Sequence, residues 1–125
     1  MDENKFEDLL GKTIVGVKVT DDSILFITND GQYQLYHQQD CCESVYIEDI
    51  IGDVNDLIGS PLLMAEEVSN ADEPNDSKVD DDYRDYSETW TFYKLATING
   101  YVTIRWYGSS NGYYSEDVTF ARVGD

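Results

Sequence analysis

Basic residues are scarce in this sequence, and their spacing is more unusual than their number. Eight Lys and Arg stand against 26 Asp and Glu, a formal charge of −18 at neutral pH. Between Lys18 and Lys78 there are none. No basic stripe is available to neutralise phosphates, which argues against direct nucleic-acid binding. Attraction to an anionic membrane surface is disfavoured for the same reason. Cysteine is confined to the adjacent pair Cys41 and Cys42. Neighbouring thiols cannot staple distant parts of a chain, so disulfides are not the framework. No apolar run approaches the roughly 20 residues of a membrane span. The acidic opening MDENKFED is unlike a secretion signal. A cytoplasmic, soluble protein is the expectation. Catalytic signatures are missing too: there is no EF-hand pattern, no phosphate-binding glycine loop and no Gly-x-Ser-x-Gly elbow.

What remains is enough to fold. The 125 residues suit a single domain over 1–125, and 41% hydrophobic with 13% aromatic residues is too rich for a disordered acidic tail. Asp2 is placed to cap a short N-terminal helix with Phe6, Leu9 and Leu10 as its apolar stripe and Gly11 at its end. From Thr13 the period becomes two, and Val15, Val17 and Val19 share one strand face. A second strand spans 24–28. Asn29-Asp30-Gly31 is a tight-turn signal, and Tyr33, Leu35 and His37 then line one face of a third strand. Further strands are expected at 45–50 and 62–68, separated by helical turns between Asp53 and Gly59. The Asp-rich stretch 70–85 reads as an exposed loop within the domain. Trp90 and Phe92 alternate with Thr91 and Tyr93, with Trp90, Phe92 and Trp106 assigned to the core. Asn99-Gly100 makes another hairpin turn, Val102, Ile104 and Trp106 share a face, and a strand from 113 to 120 closes a second meander. The expected fold is mostly β: two antiparallel three-stranded meanders forming a small barrel or two-layer sandwich, with a short helix and one or two helical turns.

Three features carry chemistry. The interval free of Lys and Arg holds fourteen carboxylates, among them Asp40, Glu43, Glu48, Asp49, Asp53 and Asp56. Such a surface steers toward positively charged partners, and it equally serves solubility alone. Secondly, His37, Cys41 and Cys42 are ligand types suited to zinc or another divalent cation, although a closed site needs a fourth ligand that the chain's Cys and His cannot supply. One buried and one half-exposed thiol, both reduced, is the plainer reading. Thirdly, Arg105, Trp106, Tyr107, Asn111, Tyr113 and Tyr114 set stacking faces, a guanidinium and an amide around one loop. That combination suits a nucleotide or a protein surface.

Two blocks, YHQQDCCESVYIEDIIGDVNDLIGSPLLMAEE and WTFYKLATINGYVTIRWYGSSNGYYSEDVTF, together cover about half the chain. They resemble a family of small acidic proteins of unknown function from phages, prophages and bacteria. The resemblance implies a phage-related origin and no reaction. Its matching positions are His37, Asp40, Cys41, Cys42, Glu43, Glu48 and Asp49, then Arg105, Trp106, Tyr107, Asn111 and Tyr113. Small acidic phage proteins often block host defence by occupying a nucleic-acid-binding surface, so the first functional expectation is a non-enzymatic inhibitor docking on a basic host protein. A nucleotide sponge using 105–114 and a metal-dependent activity at His37, Cys41 and Cys42 are the alternatives. No resident cofactor is expected under the first reading, and a homo-oligomer is compatible with all three.

Overall fold

The computed structural model describes residues 5–39, 43–70, 87–110 and 116–123. Among these residues, eight strands form two antiparallel four-stranded sheets. The first has the order β1 (Ile14–Val19), β2 (Ser23–Thr28), β3 (Gly31–Tyr36) and β8 (Thr119–Val123). The second runs β4 (Ser44–Ile51), β7 (Gly100–Ser110), β6 (Ser87–Thr97) and β5 (Met64–Asn70). The sheets pack face to face as a sandwich, not as a closed barrel, and among the described residues helix is limited to 3-10 turns at Phe6–Leu9 and Val54–Leu57.

The first meander forms as the turn chemistry predicts, with Thr28 opposite Gly31 across the Asn29–Asp30 turn. Its closure differs. β8 does not extend a second meander beside β7; it crosses to the other sheet and pairs with β3, Leu35 opposite Phe120. Both sheets thereby gain a fourth strand, since β4 and β5 flank the β6–β7 hairpin. The loop expected at 70–85 lies outside the described residues.

Face assignments follow register. β7 buries Val102, Ile104 and Trp106, so their cross-strand partners Leu95, Tyr93 and Thr91 also point inward. Trp90 and Phe92 therefore lie on the outer face, opposite Tyr107 and Arg105; Trp90 is buried there as expected, whereas Phe92 is only half-buried, which corrects its assignment to the core. Trp90 is still covered, its ring centroid 5.2 Å from that of Tyr107. In β1 a bulge between Ile14 and Gly16 throws Val15 out to 55% exposure. Val17 and Val19 stay opposite Phe26 and Ile24, although Val19 at the strand end is 42% exposed.

The N-terminal helix shrinks to a single 3-10 turn. Three residues per turn align Phe6 with Leu9, both buried, and swing Leu10 outward. The Lys5 N–H donates to Asp8 Oδ2 at 3.2 Å, closing the turn; the expected cap Asp2 is outside the described residues. Phe6 sits between the sheets, 5.3 Å from Phe120 and 6.3 Å from Phe26 on one side and 4.7 Å from Tyr93 on the other. Removing this ring opens a cavity at the junction of both sheets. Phe6→Ala should cost about 3–5 kcal/mol, read as a lower urea midpoint with an unchanged slope.

Candidate functional site

At one end of the sandwich the interior turns polar. His37, just beyond β3, is 2.7 Å through Nε2 from Glu43 Oε2, and the two side chains are 4% and 0% exposed. Its Nδ1 lies 2.7 Å from the carbonyl of Asp117. A carbonyl only accepts, so Nδ1 carries a hydrogen and donates it. A second proton is shared between Nε2 and Glu43. The imidazole thus ties the start of β4 to the approach of β8, and the Gln39 amide donates to the Glu43 carbonyl beside it. In this arrangement neither ring nitrogen offers a lone pair to a metal. Zinc ligation by His37 with Cys41 and Cys42 requires the pair with Glu43 to separate, and the two cysteines lie outside the described residues.

Glu116 is a second buried carboxylate, accepting from Ser110 Oγ at 2.6 Å and Thr89 Oγ1 at 2.7 Å. A Cβ on Gly108 would meet Glu116 Cβ at 2.9 Å, so the glycine makes room for it. Farther along, the buried Tyr93 O–H donates to Glu67 Oε2 at 3.2 Å. Burial holds the Tyr93 phenol protonated far above its ordinary range. Burial also raises the Glu67 carboxyl, opposed by the Tyr93 hydrogen bond and reinforced by repulsion from Glu7 and Asp117. Nothing in the sequence marked Glu67, Tyr93, Thr89, Ser110 or Glu116, because acids and hydroxyls at alternating strand positions read as solvent-facing. Among the described residues, no group of three His, Cys, Asp or Glu is arranged to hold a metal ion.

The proposed partner-binding carboxylates divide. Glu43 is buried at 4% exposure and takes no part in an exposed face. Asp40 is outside the described residues. Glu48 is the extra residue of a β4 bulge and lies 2.7 Å from Arg105 Nε, an ion pair without hydrogen-bond alignment. Asp49 is exposed beside it. Asp53 caps the second 3-10 turn by accepting from the Asn55 N–H at 2.9 Å, and Asp56 packs half-buried against Gly100. Two further acids of the interval free of Lys and Arg join them: the Ile47 N–H donates to the Asp21 carbonyl at 2.9 Å, bringing the Asp21–Asp22 turn alongside β4. Other acids lie elsewhere. Asp30, at the far end of β2, bonds Lys12 Nζ at 2.7 Å, which lowers the Asp30 carboxyl and raises the Lys12 amine, while Glu66 and Glu67 occupy the opposite edge of the second sheet. The carboxylates do not share one face; a subset follows β4.

The aromatic group also separates. Trp106 is 1% exposed and its indole nitrogen has no hydrogen-bond partner, so its ring serves the core and is not presented to a ligand. Arg105 and Tyr107 project from the outer face, with Tyr107 bonded to Glu88 Oε2 at 2.6 Å. Asn111, Tyr113 and Tyr114 are outside the described residues.

The profile of a domain of unknown function, DUF7448, matches residues 7–120. The chain belongs to this family. No curated protein and no solved structure matches it. The DUF7448 match reaches from the first 3-10 turn to β8 and so takes in both sheets and the buried His37–Glu43 pair. Among the described residues of this DUF7448 chain, no helix is long and apolar enough to cross a membrane.

Two outcomes follow from these acids. His37→Ala strips a fully buried carboxylate of its imidazole and should destabilise the domain by about 3–5 kcal/mol, measured by chemical denaturation at pH 7. Glu67→Gln should act in the opposite direction. The folded state keeps the Glu67 proton to higher pH than the unfolded chain, so stability is lost as pH rises from about 4.5 through the folded-state value. The Gln variant escapes that loss, and for so exposed a group it should gain up to about 1 kcal/mol at pH 7. Paired melts at pH 7 and pH 3.5 should show the gain vanish in acid.

Proposed function

We propose that this DUF7448 chain is a non-enzymatic binding protein that docks on a positively charged protein surface. The observation that carries this reading is the run of acids along β4. Asp21, Asp22, Glu48, Asp49 and Asp53 follow one side of the sandwich, and Arg105 is the single basic side chain among the described residues within ion-pair distance of any of them. Such a run projects a negative potential that accelerates encounter with a basic surface. The resemblance to small acidic phage and prophage proteins extends the reading to a phage-encoded inhibitor, acting in the host cytoplasm. Its target would be a defence or nucleic-acid-binding protein whose basic surface otherwise holds DNA or RNA. The nucleotide reading has less support, since Trp106 lies in the core and Arg105 is engaged by Glu48.

Capture of host proteins on the immobilised chain, repeated across salt and with duplex DNA as competitor, tests the proposal. The partner should elute between about 0.1 and 0.5 M salt, where the screening length falls well below 10 Å, and DNA should compete. An Asp21→Asn, Asp22→Asn, Asp49→Asn variant of unchanged melting temperature should bind at least tenfold more weakly. Capture that survives molar salt and ignores DNA would overturn the reading.

A further inference from the structure

The solvent face of a sandwich sheet is ordinarily polar, and the β4 side of the second sheet is not. Tyr46 is 39% exposed, Ile51 53% and Tyr101 48%. Register places them together: Tyr46 is opposite Tyr107, Ile51 opposite Thr103, and Tyr101 follows two residues before Thr103 on the same face of β7. Tyr101 is six residues along β7 from the partner of Tyr46, roughly 20 Å in a strand. Between these apolar groups stands Asp49, with the Asp21–Asp22 turn at the strand's outer edge.

Aromatic rings interleaved with unneutralised carboxylates select a cation with a flat or apolar body. The molecule uses the same chemistry internally on its first sheet. The Tyr33 ring there has Lys12 Nζ at 5.9 Å and Arg122 Cζ at 5.8 Å, with Asp30 bonding Lys12. On the strip itself the Arg105 guanidinium is held by Glu48, with Asp49 and Phe92 as its cross-strand neighbours.

We infer that this strip is the contact face for an extended, arginine-rich segment of a partner protein, about six residues long by its span. Guanidinium groups meet Asp21, Asp22 and Asp49 and stack on Tyr46 and Tyr101, while an aliphatic stem covers Ile51. Arginine is favoured over lysine because its planar group both stacks and forks onto a carboxylate. The inference rests on the docking reading above and names the segment that it takes.

The test uses the full chain, isotopically labelled, with deca-arginine, deca-lysine and deca-glutamate as probes at 50 mM salt. Deca-arginine should shift the amides of Tyr46, Asp49, Ile51 and Tyr101, bind at least fivefold tighter than deca-lysine, and find deca-glutamate silent. Tyr46→Ser with Tyr101→Ser, both surface changes, should weaken deca-arginine at least fivefold while leaving the spectrum's dispersion intact. Shifts confined to Asp21 and Asp22, equal affinity for lysine and indifference to the tyrosine changes would overturn this inference and leave the docking reading standing. If neither basic peptide moves any amide, both fall. Should the double variant unfold, the amide map and the arginine-to-lysine ratio of the unaltered chain decide.

Discussion

Phe6 between the two sheets is the constraint on which the architecture turns. A four-residue 3-10 turn has little stability of its own, yet it places one ring against Phe26 and Phe120 of the first sheet and Tyr93 of the second. Phe120 reaches that position because β8 crosses over to pair with β3, where it stacks on Tyr33 with the ring planes 4° apart. Without the crossover the first sheet would end at β3 and present its inner face at an open edge. The ring and the crossover are therefore one solution: each supplies the surface on which the other packs.

A second constraint is the scarcity of cations. A buried carboxylate needs donors, and in most acidic proteins Lys or Arg supplies them. Here Glu43 takes an imidazole and Glu116 takes two hydroxyls, while the exposed Glu67 takes a phenol. Three of the six Lys and Arg among the described residues are engaged near the surface instead: Lys12 and Arg122 on the Asp30 turn, Arg105 on Glu48. Hydroxyl donors fix geometry without cancelling charge, whereas the proton shared between His37 and Glu43 neutralises that one carboxylate. The molecule thus holds its acids in place and keeps most of its −18.

The legible part of the fold was local. Asn29-Asp30-Gly31 and Asn99-Gly100 mark hairpins whose geometry depends on those few residues, and Asp53 caps its 3-10 turn as its position predicts. Pairing between distant strands is another matter. Nothing within Thr119–Val123 says whether β3 or β7 is its neighbour, because both offer an apolar inner face of suitable length. The parity of β6 was ambiguous for a related reason: Trp90 and Phe92 are as apolar as Tyr93 and Leu95, and the register with β7 decides which pair faces inward. The candidate site was legible in its exposed acids Glu48 and Asp49 but not in Glu43, whose burial depends on a histidine six residues earlier and a carbonyl 74 residues later.

These two kinds of illegibility have one cause, and it bears on where binding resides. Glu43 and Glu116, acids by sequence, are interior because an imidazole and two hydroxyls meet them. Each such meeting withdraws a charge from the surface without adding a cation there. Along β4 the exposed acids coincide with apolar side chains that the second sheet does not cover. Aromatic surface of that kind is costly to leave in water, and unneutralised carboxylates repel one another across it. A segment that brings guanidinium groups on apolar stems relieves both costs at once. An anionic or purely apolar partner relieves at most one.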